Sequence, residues 1–426
     1  MKEIKNNRQI HVHIDADAFF ASVEQVLHRE LRGKAIVVGQ NGGIVSALSY
    51  PAKGMGIPRV MPIVTVRKRF PNVDVVASDF YAYGLFSARI ERIIREYLPN
   101  LVKNSIDECS SHIGKYVNGF AEARELVEEI QEVLSIKLGC TFSFGIARTP
   151  LLAKLASGMN KPNGITVLTD ENIKNTIYDL PINSVSGVGK KGFEKLQRHG
   201  VCTIGDFVSK EENWLRSTFS ICMPAIQKQL LGIVVTVPKA KISQKSMSRG
   251  RSFPRTASYN YLHSQLSMNI EHLAQRMRKD NVVAKRIGVR LRTQDLIFSD
   301  TFATLITPSR DPGELVQQAK RLLQSIYVRG VEYRQVSVTC SGLEEITQYD
   351  LFGEIEASES HVLDLIDNLE TKFGKSCIGF ASSLEARNNL TTVRSQKITG
   401  DTYPHPMLPG EETKKRLVYP FLGKVG

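Results

Sequence analysis

Two adjacent carboxylates, Asp107 and Glu108, are the side chains whose position in this sequence best suits catalysis. Neighbouring residues on a strand point to opposite faces, so this pair can serve one centre only at a turn or at a strand end. A second acidic pair, Asp15 and Asp17, lies much earlier in the chain. Carboxylates that converge on one point repel each other unless cations lie between them, as in two-metal sites for phosphoryl transfer. The sequence therefore predicts such a metal site.

Two histidines beside the first acidic pair leave an alternative open. His11, His13 and Asp15 alternate along a strand predicted over residues 10–15, so all three share one face. A His-x-His pair on a first strand can open a metallohydrolase site, but the other seven histidines show no paired or i,i+4 spacing. We interpret both histidines as structural and keep the metallohydrolase as a competing hypothesis.

Side chains that could bind phosphate occur at two further places. Tyr50 and Lys53 are one helical turn apart in a short segment punctuated by glycines, so both can face one ligand. A predicted helix begins at residue 151 and is ended by the Lys-Pro-Asn-Gly sequence of residues 161–164. Lys161 lies just beyond that helix and can reach into a cleft, although a cation near a helix C-terminus is also favourable in itself.

A tight glycine hairpin lies between two predicted helices in residues 180–196. Gly187 and Gly189 let the backbone N–H groups of this helix–hairpin–helix pattern approach a phosphate, and Lys190 and Lys191 add positive charge. The pattern predicts binding to a DNA backbone without sequence preference.

Positive charge is concentrated in the second half of the chain. The whole sequence carries a net charge of +13, and residues 239–300 contain thirteen Lys or Arg against four Asp or Glu, a net charge of +9. Clustered positive charge suits a polyanion, whereas a scattered excess would indicate only a solvated surface. Nucleic acid is therefore the favoured partner.

Length and composition limit the class of protein. At 426 residues, 42% hydrophobic and 23% charged, we expect two to four globular domains. No apolar run reaches the roughly 18 residues of a membrane span, and no apolar segment typical of a secretory signal follows the basic start of the chain. The six cysteines form no Cys-x-x-Cys motif, so we expect reduced thiols in a cytoplasmic protein and no structural zinc site.

The predicted elements give an α+β core with a mixed sheet, followed by a separate basic unit. Asp17 is predicted to be the N-cap of a helix over residues 18–27. Further helices are predicted over 82–97 and 120–136, with strands over 35–39, 44–48 and 141–146.

After a linker over residues 238–248, the basic unit combines helices near 258–280 and 311–328 with strands at 282–291, 301–306 and 335–341, a βαβ-type arrangement. A C-terminal helix follows, and we expect a partly disordered tail from about residue 393. The helix carries apolar residues at helical spacing: Val362, Leu365, Ile366, Leu369 and Phe373.

Taken together, five motifs resemble those of the Y-family of translesion DNA polymerases across residues 8–345. They are IDADAFFASVEQ, SALSYPAKGMGI, SIDE, FSFGIARTPLLAKLASGMNKPNGI and the GVG hairpin. The resemblance implies a right-hand, multidomain polymerase. Its parts would be a palm (1–26 and 80–168), small fingers (27–79), a helical thumb (169–237) and a little finger (249–345), before a clamp-binding motif and tail (346–426).

The resemblance also implies roles for individual residues. Asp15, Asp107 and Glu108, with the Ala16 carbonyl, would hold two Mg²⁺ ions, and Asp107 and Glu108 would be the catalytic pair. Phe20 would be the steric gate that excludes the ribose 2′-hydroxyl. The triphosphate contacts would be Tyr50, Lys53 and Lys161, and Lys53 stands where many members carry Arg.

The same resemblance names partners. Primer–template DNA and dNTPs are expected, and the expected DNA contacts are Gly187, Gly189, Lys190, Lys191, Arg249, Arg251, Lys285, Arg286, Arg290 and Arg292. Gln348, Leu351 and Phe352 belong to a pentapeptide similar to those that bind the bacterial sliding clamp. The C-terminal helix and the KFGKSCIGFAS sequence resemble the UmuC-like branch more than the DinB-like branch, which would add a UmuD-like subunit and a recombinase filament as partners.

Residues 109–112, Cys-Ser-Ser-His, depart from the family pattern directly after the acidic pair. They are the one feature that supports another alternative, a non-catalytic DNA-binding protein that keeps the fold. Because the carboxylates themselves are intact, we expect activity to be retained.

Overall fold

The computed structural model describes residues 9–40, 43–219, 222–235, 244–345, 357–373 and 378–388. The chain divides between Val237 and Pro238 into two compact units, which are described separately. Among the described residues, no helix combines the length and hydropathy needed to cross a membrane.

The first unit contains eight strands and eleven α-helices in the part of it that the structure describes. The strands are β1 (His11–Ala16), β2 (Ile36–Val38), β3 (Ala47–Leu48), β4 (Asp74–Val76), β5 (Val102–Lys103), β6 (Glu108–His112), β7 (Phe142–Ala147) and β8 (Ile165–Val167). The helices are α1 (Phe19–Leu27), α2 (Tyr50–Gly54), α3 (Ile63–Arg69), α4 (Phe80–Tyr97), α5 (Phe120–Leu138), α6 (Pro150–Ser157), α7 (Ile173–Ile177), α8 (Lys190–Arg198), α9 (Ile204–Val208), α10 (Glu212–Thr218) and α11 (Cys222–Leu230).

A five-stranded mixed sheet in the order β5-β6-β1-β7-β8 places β1 at its centre. The alternation of β1 explains this position, because Val12, Ile14 and Ala16 are buried in one hydrophobic core with residues of α4 and α5. The opposite face of β1 carries the polar residues His11, His13 and Asp15. One strand thus supplies both core and site.

Helix α6 lies directly against the neighbouring strand β7. A Cβ at Gly145 would lie 2.0 Å from the carbonyl oxygen of Ala153, so only glycine allows this approach. The helix begins after the N-cap Thr149 and ends at Ser157, earlier than the sequence predicted. Pro162 has no N–H and restricts the residue before it, so the segment after Ser157 forms a turn instead.

Asp17 is not the N-cap that the sequence predicted. The cap of α1 is Ala18, in the left-handed conformation with φ 46°, and it makes no side-chain hydrogen bond to the helix. The carboxylate of Asp17 is instead engaged by side chains and backbone from distant parts of the chain, as the site geometry below shows.

A small three-stranded sheet, β3-β2-β4, forms a separate core in the predicted fingers region. The strands predicted over 35–39 and 44–48 form the antiparallel β2–β3 pair, although residues 41 and 42 between them lie outside the described part of the chain. Helices α7 to α11 form a further core that also includes Leu152 and Ala156 of α6.

The second unit is built around a four-stranded antiparallel sheet in the order β11-β10-β12-β9. Its elements are β9 (Ser246–Thr256), α12 (Tyr259–Lys279), β10 (Val282–Thr293), β11 (Phe298–Ser309), α13 (Pro312–Ile326), β12 (Tyr333–Glu345) and α14 (Ala357–Phe373). The strand–helix–strand order was predicted, but each pair of strands joined by a helix is separated by a third strand, which makes two interleaved split βαβ units. Strand β9 also begins inside the predicted linker.

Helix α14 confirms the predicted C-terminal helix and packs beside α12. Arg278 donates to Asp367 at 2.8 Å, and Gln275 donates to Glu370 at 2.7 Å. Val362, Leu365 and Phe373 remain exposed, so the contact to α12 is largely polar. The predicted tail after residue 393 lies outside the described residues.

Candidate active site

The acidic residues meet where β1 and β6 lie side by side. Asp15 pairs in register with Glu108, and the amide of Ala16 donates to the carbonyl of Asp107 at 3.0 Å. Ser105 shapes the turn before β6, because its hydroxyl accepts from the amide of Glu108 at 3.0 Å and hydrogen-bonds to the Asp107 carboxylate. Sequence analysis assigned no role to Ser105, although its position in an Ser-x-Asp-Glu turn is a signal for such a bond.

The electrostatics of Asp15 indicate a site for cations. Burial raises the pKa of Asp15, the ammonium of Lys161 lowers it, and the nearby Glu108 and Asp107 carboxylates raise it again. Carboxylates placed close together repel each other, and a bound cation relieves that repulsion.

Two lysines supply positive charge to these carboxylates. Lys161 forms an ion pair with Asp15, and Lys154 forms one with Glu108. Lys161 therefore lies in the site, as predicted. Lys154 lies there too, although the sequence analysis did not identify it. The available signal was that Lys154 lies on the predicted helix two turns before Lys161.

His13 joins the acidic cluster as well. Ligand atoms of His13, Asp15 and Glu108 lie within 4.8 Å of one another. Burial and the charge of Lys154 lower the pKa of His13 to about 4, so its ring is neutral. The Asp107 carboxylate lies outside this group. With carboxylate oxygens and one imidazole as donors, the residues fit a divalent cation.

Asp17 organises the neighbouring pocket through its fully buried carboxylate. It accepts hydrogen bonds from the hydroxyl of Ser143 at 2.8 Å, from the amide of Asn163 at 2.8 Å and from the hydroxyl of Tyr50 at 3.3 Å. These bonds join the end of β1 to β7, to α2 and to the loop that carries Lys161. Asp17 therefore positions two of the three predicted triphosphate contacts.

The third predicted contact lies beside Tyr50, as the helical spacing indicated. The Nζ atom of Lys53 lies 4.1 Å from the centre of the Tyr50 ring. Burial lowers the pKa of Lys53, and the charges of Lys161 and Arg59 lower it further. Lys53, Lys161 and Arg59 are therefore close enough for the charges of the last two to act on Lys53, an arrangement suited to a polyphosphate.

Phe20, the predicted steric gate, packs into an aromatic group above α1. Its ring stacks on Tyr83 with centroids 4.2 Å apart and meets Phe80 edge-on at 5.8 Å. The Tyr83 hydroxyl donates to the buried carboxylate of Glu24. Burial raises the pKa of Glu24 to about 7, against the opposing effect of the hydrogen bonds from Tyr83 and the Asp79 amide.

The glycine hairpin that was predicted to bind DNA adopts a backbone conformation with positive φ, which glycine tolerates without strain. Gly187 has φ 98°, where other residues are strained, and Gly189 is the N-cap of α8. Lys190 and Lys191 are both exposed at the start of that helix.

The structure separates the predicted basic contacts of the second unit into two groups. Arg290 and Arg292 pair with Ser337 and Gln335 on the outer face of the sheet, and Arg286 follows the same alternation. Arg249 and Arg251 pair with the buried Val338 and Val336, so they lie on the face that packs against the helices. Lys285 forms an ion pair with Glu344 at 2.6 Å.

Gln348, Leu351 and Phe352, the residues predicted to bind a sliding clamp, lie outside the described residues.

Comparisons with known proteins place this geometry in context. Residues 14–158 match the impB/mucB/samB family, and residues 244–351 match the C-terminal domain of that family. The chain is 31% identical over 389 residues to DNA polymerase IV of Desulfatibacillum aliphaticivorans, which covers 89% of this chain and 98% of the relative. It is 28% identical over 391 residues to DNA polymerase IV 1 of Bacillus subtilis strain 168, with 89% and 94% covered.

Solved structures agree with the fold. A Y-family DNA polymerase chimera, Dbh–Dpo4(243–245)–Dbh, matches with a TM-score of 0.69 at 24% identity, over 79% of this chain and 99% of the other. An insertion ternary complex of Dbh DNA polymerase matches with a TM-score of 0.54 at the same identity and coverage. The curated relatives are named DNA polymerase IV, so the predicted preference for the UmuC-like branch is not supported. That preference rested on C-terminal residues of which 374–377 lie outside the described part.

Proposed function

Because the chain belongs to the Y-family of DNA polymerases, we propose that Asp15, Asp107 and Glu108 form the metal site at which it extends a primer. The protein is a DNA-directed DNA polymerase of low fidelity that acts in translesion synthesis. The observation that supports the proposed site is the convergence of Asp15 and Glu108, in register on neighbouring strands, with Asp107 beside them.

We assign two Mg²⁺ ions to these carboxylates and to the Ala16 carbonyl. When bound, such ions lower the pKa of the primer 3′-hydroxyl and neutralise charge on the triphosphate. The protein itself supplies position and charge. Asp17 holds Tyr50 and Lys161 in place, and Lys53 adds a third contact to the triphosphate. We assign to the Phe20 ring the exclusion of a ribose 2′-hydroxyl.

Primer extension tests this assignment. Asp15→Asn and Asp107→Asn should each lower kcat by about a thousandfold, roughly 4 kcal/mol of transition-state stabilisation. Asp170→Asn is a matched control, because Asp170 is exposed and pairs only at the surface with Arg148. Full activity in Asp107→Asn would contradict the assignment of the site.

The two alternatives are weaker after the comparisons. The relatives are polymerases, which does not favour a non-catalytic binding protein. For the metallohydrolase, the His-x-His pair is divided: His13 lies with the carboxylates, whereas the His11 ring packs against His112 with centroids 4.9 Å apart.

Partner assignments extend the same proposal. We propose that primer–template DNA contacts the glycine hairpin and the outer face of the second sheet, in a cytoplasmic protein of the DNA-damage (SOS) response. We also propose that Gln348, Leu351 and Phe352 bind a sliding clamp. Changing Leu351 and Phe352 to Ala should then lower processivity only on clamp-loaded templates. A UmuD-like subunit and a recombinase filament depended on the UmuC-like branch, and we do not propose them.

A further inference from the structure

His13 lies on β1 between the neighbouring strands β6 and β7, and its ring lies beside the carboxylates of Asp15 and Glu108. It lies two residues before Asp15 on the same face of β1, and in register it faces Ser110 of β6 and Gly145 of β7. Glycine has no side chain to offer, and the Ser110 hydroxyl donates instead to Asn104 at 2.9 Å. Neither neighbour therefore satisfies the imidazole.

The Nε2 atom of His13 is a buried polar atom that lacks a hydrogen-bond partner among the described residues. His13 is only 1% exposed, and Nε2 lies 3.8 Å from Oε2 of Glu108, too far for a hydrogen bond. Burying such an atom without a partner is unfavourable, and a cation held by the adjacent carboxylates would supply one.

We infer that His13 supplies a nitrogen ligand to a divalent metal ion held by Asp15 and Glu108, a role that rests on the proposed active site. The distances support this directly, because one ligand atom from each of the three residues lies within 4.8 Å of the others, a spacing that one ion can bridge.

The consequence concerns which metal binds best. Mg²⁺ prefers oxygen ligands, whereas imidazole nitrogen favours Mn²⁺, Co²⁺ and other first-row metals. The His13 ligand should therefore make this site bind Mn²⁺ more tightly than Mg²⁺. Removing the His13 imidazole should reduce that difference in affinity.

His11 provides a matched control on the same strand and face. Its Nε2 is also buried and without a hydrogen-bond partner among the described residues, but His11 is not in the group with Asp15 and Glu108. If both buried imidazoles had only a structural role, His11→Gln and His13→Gln should affect metal binding equally.

Pulsed electron paramagnetic resonance of Mn²⁺ bound to the full-length protein tests the inference. Wild type and His11→Gln should show a ¹⁴N coupling from a directly bound imidazole, and His13→Gln should not. Mn²⁺ affinity, measured by titration, should fall about tenfold in His13→Gln while Mg²⁺ affinity changes less than about twofold. Wild-type protein grown with ¹⁵N-histidine should replace the ¹⁴N coupling with a ¹⁵N coupling, which needs no variant to fold.

Two outcomes would overturn the inference: bound Mn²⁺ in wild type without a histidine nitrogen coupling, or a coupling that survives in His13→Gln. Asp15→Asn separates this failure from failure of the proposed active site. If Asp15→Asn weakens Mn²⁺ binding but no nitrogen coupling exists, only the His13 ligand is wrong. If Asp15→Asn binds Mn²⁺ as wild type does, the proposed site itself is wrong.

Discussion

At the scale of single residues, Asp17 shows how a carboxylate can serve the site without being one of the proposed metal ligands. Its buried oxygens accept from Ser143, Asn163 and Tyr50, which come from three different parts of the chain. Local sequence suggested a helix cap, because Asp before an amphipathic run commonly caps a helix. Partners far away in sequence take precedence over that preference.

Asp17→Asn should raise KM for the incoming dNTP by about tenfold, with a smaller change in kcat. The new amide keeps one acceptor oxygen, but its NH₂ group faces groups that donate to Asp17 in the wild type. Each hydrogen bond to a charged group is worth about 1.5–3 kcal/mol. Tyr50 and Lys161 would lose their support while the metal ligands keep theirs. Steady-state kinetics of single-nucleotide insertion measures this, with Asp170→Asn as the surface control, and an unchanged KM would contradict the positioning role.

At the scale of elements, the contact between α6 and β7 fixes both lysines of the site. The backbone of α6 approaches Gly145 so closely that a Cβ there would lie 2.0 Å from the Ala153 oxygen and 2.4 Å from the Ser157 nitrogen. Lys154 lies within this helix, and Lys161 follows it.

Gly145→Ala should therefore lower the free energy of unfolding by about 1–3 kcal/mol, the usual range for overpacking, and should lower activity because α6 must shift. Gly54→Ala is the matched control for stability, since nothing lies within 4 Å of its Cβ position. Thermal or denaturant unfolding gives the comparison. Equal stability of the two variants would show that α6 does not depend on this contact.

The contact between α1 and α4 gives a pH dependence through Glu24. Its pKa rises from 4.5 to about 7 on folding, so the folded state binds more protons than the unfolded state between those values. The contribution of Glu24 to stability is therefore full below pH 4.5 and is lost as pH rises through about 7. The shift corresponds to about 3 kcal/mol at most.

Glu24→Gln should thus gain stability relative to wild type as pH rises from 5 to 8, because the amide keeps an acceptor for Tyr83 without ionising. Denaturant unfolding at both pH values measures the difference. Glu128→Gln, at an exposed residue of α5 that pairs with Arg124, should show no such trend. A pH-independent difference for Glu24→Gln would contradict the raised pKa.

Elements with a clear apolar period could be predicted closely, and the others could not. The helix predicted over 82–97 is α4, Phe80–Tyr97, and it begins two residues earlier because Asp79 caps it. No strand was predicted at β9, and its first three residues were assigned to the linker because residues 238–248 are polar, basic and rich in serine. Met247 and Phe253 are the only apolar residues of β9 that are buried, and pairing with β12 makes this segment a strand. Likewise, the motif resemblance named Asp15 and Glu108, but only the β1–β6 register brings His13 to Glu108.

At the scale of the whole molecule, the net charge of +13 is the property from which the sequence alone predicted nucleic acid as the partner. The sheet of the second unit refines that assignment, because its arginines lie on two different faces. Arg286 and Arg292 follow the alternation of the outer face, whereas Arg249 and Arg251 lie opposite buried valines. Burial and the charge of Arg251 lower the pKa of Arg249, which shows that its guanidinium is partly withdrawn from water.

The double variants Arg286→Gln/Arg292→Gln and Arg249→Gln/Arg251→Gln remove the same charge from opposite faces. Each phosphate contact contributes about 0.9 to the slope of log K against log salt concentration. We expect the first pair to weaken primer–template binding and to reduce that slope by about 1.8, and the second pair to change it by less than about half as much. Fluorescence anisotropy over a series of salt concentrations measures both slopes. Equal slopes for the two variants would mean that total charge, and not the outer face of the sheet, determines DNA affinity.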